Sequence, residues 1–133
     1  MATTKTRNNG RWTEARHKSF IISALRGAHS KWGVKADVKK LARVSTGRYV
    51  CAECGNVGPA TLPPLDGQKR RRNNAAVDHI EPVVEPAEGF QDWNTYIERM
   101  FLELNGYQVL CHDCHSTKTK EERVVRTEMR RKK

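Results

Sequence analysis

The chain has 133 residues, a formal net charge of +10 and only 37% hydrophobic residues, which allows one small domain with an attached subdomain around a small core. No apolar stretch approaches the about 20 residues of a membrane span, and residues 1–5 lack the apolar core of a secretory signal, so no membrane partner and a cytoplasmic location are expected. The charge is uneven: residues 1–50 hold 12 Lys/Arg against 2 Asp/Glu, residues 51–110 hold 5 against 9, and residues 111–133 hold 8 against 4. Two basic ends around a mildly acidic centre fit a polyanion, nucleic acid above all, with a merely solubilising surface as the alternative.

Residues 1–10 are polar, carry the turn signal Asn8-Asn9-Gly10, and are expected to be mobile. Thr13 caps an expected helix from Glu14, with Phe20, Ile21, Ala24, Leu25 and Ala28 on one stripe and Gly27 and Gly33 ending or bending the segment. A second, shorter helix is expected over 34–44, with Val34, Val38, Leu41 and Ala42 inward. Arg48-Tyr49-Val50 forms a short strand leading into Cys51-Ala52-Glu53-Cys54. Gly55 and Gly58 suit a metal knuckle, where backbone N–H groups turn toward thiolates. Pro59, Pro63, Pro64 and Gly67 mark a loop that continues through Lys69-Arg70-Arg71-Arg72 and Asn73-Asn74. These four cations either grip phosphates or decorate a flexible surface.

Residues 76–80 are expected to be a strand ended by Glu81-Pro82. Asp92 caps the next helix, whose Trp93, Tyr96, Ile97, Met100, Phe101 and Leu104 recur at helical spacing and are assigned to the core. Asn105-Gly106 turns the chain into a second strand over 107–110. The last helix is expected from near Cys114 toward Met129, with a basic end that suits a helix C-terminus.

The chemistry lies in two groups of residues. Cys51, Cys54, Cys111 and Cys114 form two C-x-x-C pairs, the spacing of one closed tetrahedral zinc site. His112 and His115 compete as ligands, but the four thiolates suffice. Residues 55–110 separate the pairs, so zinc would close a long loop and remove much chain entropy. The second group is Val77-Asp78-His79-Ile80 together with the run Leu110 to Thr119, which contains Cys111, Cys114, His115, Lys118 and Thr119.

These two stretches resemble the HNH endonuclease family, whose members carry D-H-I near one strand and L-C-x-x-C-H-x-x-K-T running into a helix. The resemblance covers about residues 49–120 and implies an α+β fold: a ββα-metal (His-Me) finger with a four-cysteine zinc site in a nuclease domain over 49–133, preceded by a basic helical extension over 1–48. It implies metal-dependent hydrolysis of DNA, leaving a 5′-phosphate and a 3′-hydroxyl. By the same resemblance His79 is the general base, and Asp78 and His115 hold a catalytic divalent cation, Mg²⁺ or another such as Mn²⁺. Lys118 matches the family lysine and is expected to meet a phosphate or the transition-state charge. Lys69, Arg70, Arg71, Arg72, Lys118, Arg123 and Arg126 are the candidate nucleic-acid contacts.

Two points of this pattern depend on geometry. Adjacent strand residues face opposite ways, so Asp78 and His79 serve one site only if the strand twists, bulges or ends there. The family's middle Asn, which orients the base His, falls on Gly106 here; either Asn105 fills that role or the role is absent. Small members of the family are common in phages, as homing-type enzymes or in DNA packaging, so phage packaging proteins and the host-cell cytoplasm are further expectations. The alternatives are a zinc-stabilised DNA-binding module without catalysis, which needs the cysteines and basic ends but not Asp78, His79 and His115, and an RNase. Target sequence and oligomeric state are not legible in the chain.

Overall fold

A computed structural model describes residues 3–132. They form two compact units, divided in the chain between Trp32 and Gly33. Among the described residues no helix is long and apolar enough to cross a membrane.

The first unit is one helix with a closed turn before it. Helix α1 is Glu14–His29, and the Thr13 side chain accepts from the Arg16 N–H at its start, as the cap signal requires. Asn8, Asn9 and Gly10 all adopt positive φ (52°, 54° and 76°). Arg7 and Trp12 exchange backbone hydrogen bonds across this turn, and the Arg7 guanidinium pairs with Glu14 at 2.9 Å. The segment expected to be mobile is thus tied back at residues 7–14. Trp12 packs on Phe20 with ring centroids 4.9 Å apart, and the Arg16 guanidinium lies 5.3 Å from the Trp12 ring centroid. Helix α1 runs through Gly27 without ending there.

The second unit is a mixed α+β structure. Helix α2 (Gly33–Ala42) leads directly into strand β1 (Arg43–Ser45), followed by β2 (Arg48–Val50) and β3 (Val57–Pro59) in one antiparallel sheet. Helix α2 packs against the later strands of this unit, so the compact unit begins at Gly33. Of its expected inward residues Val38 is buried, whereas Leu41 is 74% exposed. Strands β4 (Thr61–Leu62) and β5 (Arg72–Asn73) close the basic loop as a two-stranded ribbon.

The element that positions the site is the antiparallel pair β6 (Ala76–His79) and β7 (Tyr107–Leu110), followed by helix α4 (His112–Arg131). Their register is unbroken: Ala76 opposes Leu110, Val77 opposes Val109, Asp78 opposes Gln108 and His79 opposes Tyr107. Between the two strands run α3 (Trp93–Met100) and a 3-10 turn at Leu104–Gly106. Asp92 caps α3 by accepting from the Thr95 N–H at 2.7 Å. Phe90, Trp93 and Tyr96 stack edge-on around it. Tyr96 and Met100 enter the core with Tyr107, Val109, Leu110, Ala76 and Cys51, while Ile97 and Leu104 remain largely exposed. The aromatic stripe is therefore core on one edge only.

Candidate functional site

The cysteine cluster is built by two knuckles. Cys51 and Cys54 sit where the Cys51 N–H donates to Asn56 and the Gly55 N–H returns to the Cys51 carbonyl at 3.0 Å, a turn that Gly55 closes at φ 74°. The Ala52 N–H donates to the Val109 carbonyl at 2.9 Å, fastening this knuckle to β7. Cys111 stands at the N-terminal cap of α4, and Cys114 lies in its first turn. The four sulfurs lie within 4.8 Å of one another, with Cys54 and Cys111 at 3.9 Å. Thiolates bound to a tetrahedral zinc at about 2.3 Å are about 3.8 Å apart, so the set fits a metal ion such as zinc with little movement.

The electrostatics of the cluster also favour a cation. Burial pushes the Cys51 thiol up, but backbone hydrogen bonds from Cys111, Cys54 and Glu53 outweigh it and hold Cys51 at about 6. Cys111 is pushed up, by burial first, and Cys114 is pushed far up, first by its hydrogen bond with the Cys111 sulfur. One thiolate thus opposes ionisation of its neighbours. A central cation removes that repulsion by taking all four charges.

Asp78 and His115 approach one another on the ribbon face that α4 covers. Asp78 Oδ1 lies 3.8 Å from His115 Nε2, with the Asp78 side chain 15% exposed and that of His115 45% exposed. Two ligand atoms held at about 2.1 Å in cis positions of one cation stand about 3 Å apart, somewhat closer than this pair. The other carboxylate oxygen, Asp78 Oδ2, accepts from Gln108 Nε2 at 3.2 Å and from Lys118 Nζ at 2.5 Å. Lys118 lies three residues after His115, so both emerge on one face of α4. Its ammonium also donates to the backbone carbonyls of His79 and Ile80. The expected phosphate-contacting lysine is therefore turned inward onto β6.

His79 points from the opposite face of β6, as strand alternation requires. Its Nε2 lies 2.8 Å from the Met100 carbonyl, and its ring meets Tyr107 edge-on with centroids 4.9 Å apart. A carbonyl only accepts, so Nε2 carries the proton and, in the neutral ring, Nδ1 carries the lone pair. No bulge interrupts β6. The strand ends at His79, and the Ile80 N–H adds one last bond to the Gly106 carbonyl.

Gly106 has a steric reason. A Cβ built there would lie 2.6 Å from Leu102 Cδ1 and 2.7 Å from Leu102 Cβ, so no Asn fits at this position without moving Leu102. Asn105 is exposed in the 3-10 turn, and His79 Nε2 bonds the Met100 backbone. Of the candidate basic residues, Lys69, Arg70, Arg71, Arg123 and Arg126 are exposed and Arg72 is half-buried. Arg71 donates to Thr61 Oγ1 at 2.9 Å and Arg72 to the Pro63 carbonyl at 3.0 Å, so both hold their own loop.

Three contributors lie outside the motif. Asn74 accepts from the first free N–H of α4, at His112, and donates to the Pro59 carbonyl, joining β3 to the helix start. Gln108 faces Asp78 across the ribbon, a pairing foreseeable once the strand register is known. The Met100 carbonyl has no side-chain signature at all. Compared with protein-family models, curated proteins and solved structures, the chain matches none.

Proposed function

We propose that this protein is a metal-dependent DNA endonuclease of the HNH type, in which β6, β7 and α4 act as a ββα finger braced by a cysteine-bound structural zinc. The observation that carries this reading is the 3.8 Å approach of Asp78 on β6 and His115 on α4, the helix whose start bears two of the clustered cysteines, with His79 next along the strand. One carboxylate and one imidazole form an open ligand set. A divalent cation held by Asp78 and His115 would supply positive charge at the scissile phosphate and at the leaving oxygen. His79 accepts the proton of the attacking water, its ring held by the bond between Nε2 and the Met100 carbonyl. The exposed Lys69, Arg70, Arg123 and Arg126 meet phosphates and supply affinity without sequence choice.

Incubation of the purified protein with supercoiled plasmid and Mg²⁺ or Mn²⁺, beside His79→Ala, tests the reading. Nicked or linear product from the wild type alone supports it, and intact plasmid with both proteins rejects it. A second reading, a DNA-binding module without catalysis, draws on Lys118, which already neutralises Asp78 as a structural ion pair would. That module would bind plasmid in a gel shift and leave it uncut at every metal concentration.

A further inference from the structure

Lys118 does something that neither a phosphate contact nor a surface lysine would do. Its ammonium is ringed by oxygen: Asp78 Oδ2 and the His79 carbonyl at 2.5 Å, the Ile80 carbonyl at 3.2 Å, and Glu122 Oε1 at 3.8 Å. One carboxylate, two main-chain carbonyls and a second carboxylate are the donors a hard cation takes from a protein. An ammonium satisfies them with three N–H groups and one positive charge. The lysine is 24% exposed, so this charge is set into the wall of the site. It neutralises one oxygen of the carboxylate whose other oxygen faces His115.

We infer that Lys118 is a tethered counter-cation of Asp78, which fixes the carboxylate in place and lowers the affinity of the Asp78–His115 pair for a divalent ion. The inference rests on the proposed role of that pair. Two positive centres sharing one carboxylate repel, and partial burial weakens the screening between them. The geometry also orients Asp78: with Oδ2 pinned by Lys118 and Gln108, Oδ1 is the oxygen turned to His115. The divalent site is thus weak in the free protein, so that the negative charge of a bound phosphate is needed to fill it. Lys118 is a positioning residue, acting through Asp78.

The test is the binding of Mn²⁺ to zinc-loaded protein without DNA, followed by the loss of the free-ion electron paramagnetic resonance signal. Lys118→Met and Lys118→Gln should tighten Mn²⁺ binding on the order of ten-fold, since a unit charge beside the ion is gone. Lys118→Arg, which keeps the charge, should not tighten it. Asp78→Asn in the Lys118→Gln background should abolish the gain, which locates the ion at this pair and not at the cysteines. Thermal unfolding gives an independent measure: the neutral variants should lose stability without metal and gain more than wild type when Mn²⁺ is added. Equal or weaker Mn²⁺ binding by both neutral variants overturns the role given to Lys118. If that result accompanies plasmid cleavage by the wild type, the endonuclease reading stands and only Lys118 is reassigned. If Asp78→Asn leaves Mn²⁺ binding unchanged in every background, the cation pair itself falls with it.

Discussion

His79 Nε2 lies 2.8 Å from the main-chain oxygen of Met100, and that same oxygen accepts the Tyr107 hydroxyl at 2.7 Å. The end of α3 therefore holds the ring of the candidate base. Tyr107 is 5% exposed, and its hydroxyl also accepts from the Leu102 N–H at 3.0 Å. Burial pushes this phenol up from its ordinary value, so it stays protonated and donates.

Tyr107→Phe should remove the hydroxyl's bonds with the Leu102 N–H and the Met100 carbonyl and cost about 1–2 kcal/mol, visible as a lower midpoint in thermal or urea unfolding. The ring contact with His79 would survive, so cleavage should fall less than in His79→Ala. Nitrogen NMR of wild-type His79 should show the Nε2–H tautomer; the opposite tautomer would show that the Met100 bond does not form in solution.

His79→Ala should retain its fold, bound zinc and DNA affinity, yet lose cleavage by about 10²-fold or more, as for an absent general base. Excess Mn²⁺ should not restore it. His115→Ala should lose cleavage too, but with partial recovery in Mn²⁺, because its defect is in holding the ion. Plasmid nicking against metal concentration distinguishes the two, and equal responses would dissolve the division of labour between these histidines.

For the cysteine cluster, elemental analysis should find about one zinc per chain. Strong chelators should unfold the protein, and Cys111→Ser should aggregate or melt early, since that sulfur and the cap of α4 share one residue. Folded, metal-free protein with an unchanged melting curve would remove the cluster's structural role.

DNA binding should weaken steeply with salt. Substituting Gln for Lys69, Arg70, Arg123 and Arg126 should reduce the slope of log K against log salt by up to about 0.9 for each phosphate no longer neutralised. Arg71→Gln and Arg72→Gln should instead loosen the β4–β5 ribbon, because their guanidinium groups bind Thr61 and Pro63. Proteolysis of the 60–74 loop reports that effect. A slope unchanged in the four-residue variant would move the DNA-binding surface elsewhere.

Gly106→Asn, which installs the residue that the HNH pattern carries, should destabilise by about 1–3 kcal/mol through its collision with Leu102. Pairing it with Leu102→Ala should recover little, because the Leu102 Cβ at 2.7 Å remains. An undiminished melting temperature in the single variant would mean that the turn gives way freely.

The cysteine cluster, the capped starts of α1 and α3, and the two strands of the central ribbon were legible in the sequence, because spacing and caps act over a few residues. Thr13 and Asp92 each bond an N–H three residues away, and each C-x-x-C pair closes its own turn. The meeting of Asp78 with His115 was expected from the resemblance, but only the register of β6 on β7 and the seat of α4 set their distance. Tertiary structure alone decided what the other groups do. Lys118 reaches back 40 residues to Asp78, and a lysine looks the same in sequence whether it faces phosphate or carboxylate. The partner of His79 lies 21 residues away and is a main-chain carbonyl, a group that every residue carries, so no residue type announces it. Gly106 looked like a missing Asn. Packing shows it as the one residue small enough to pass Leu102.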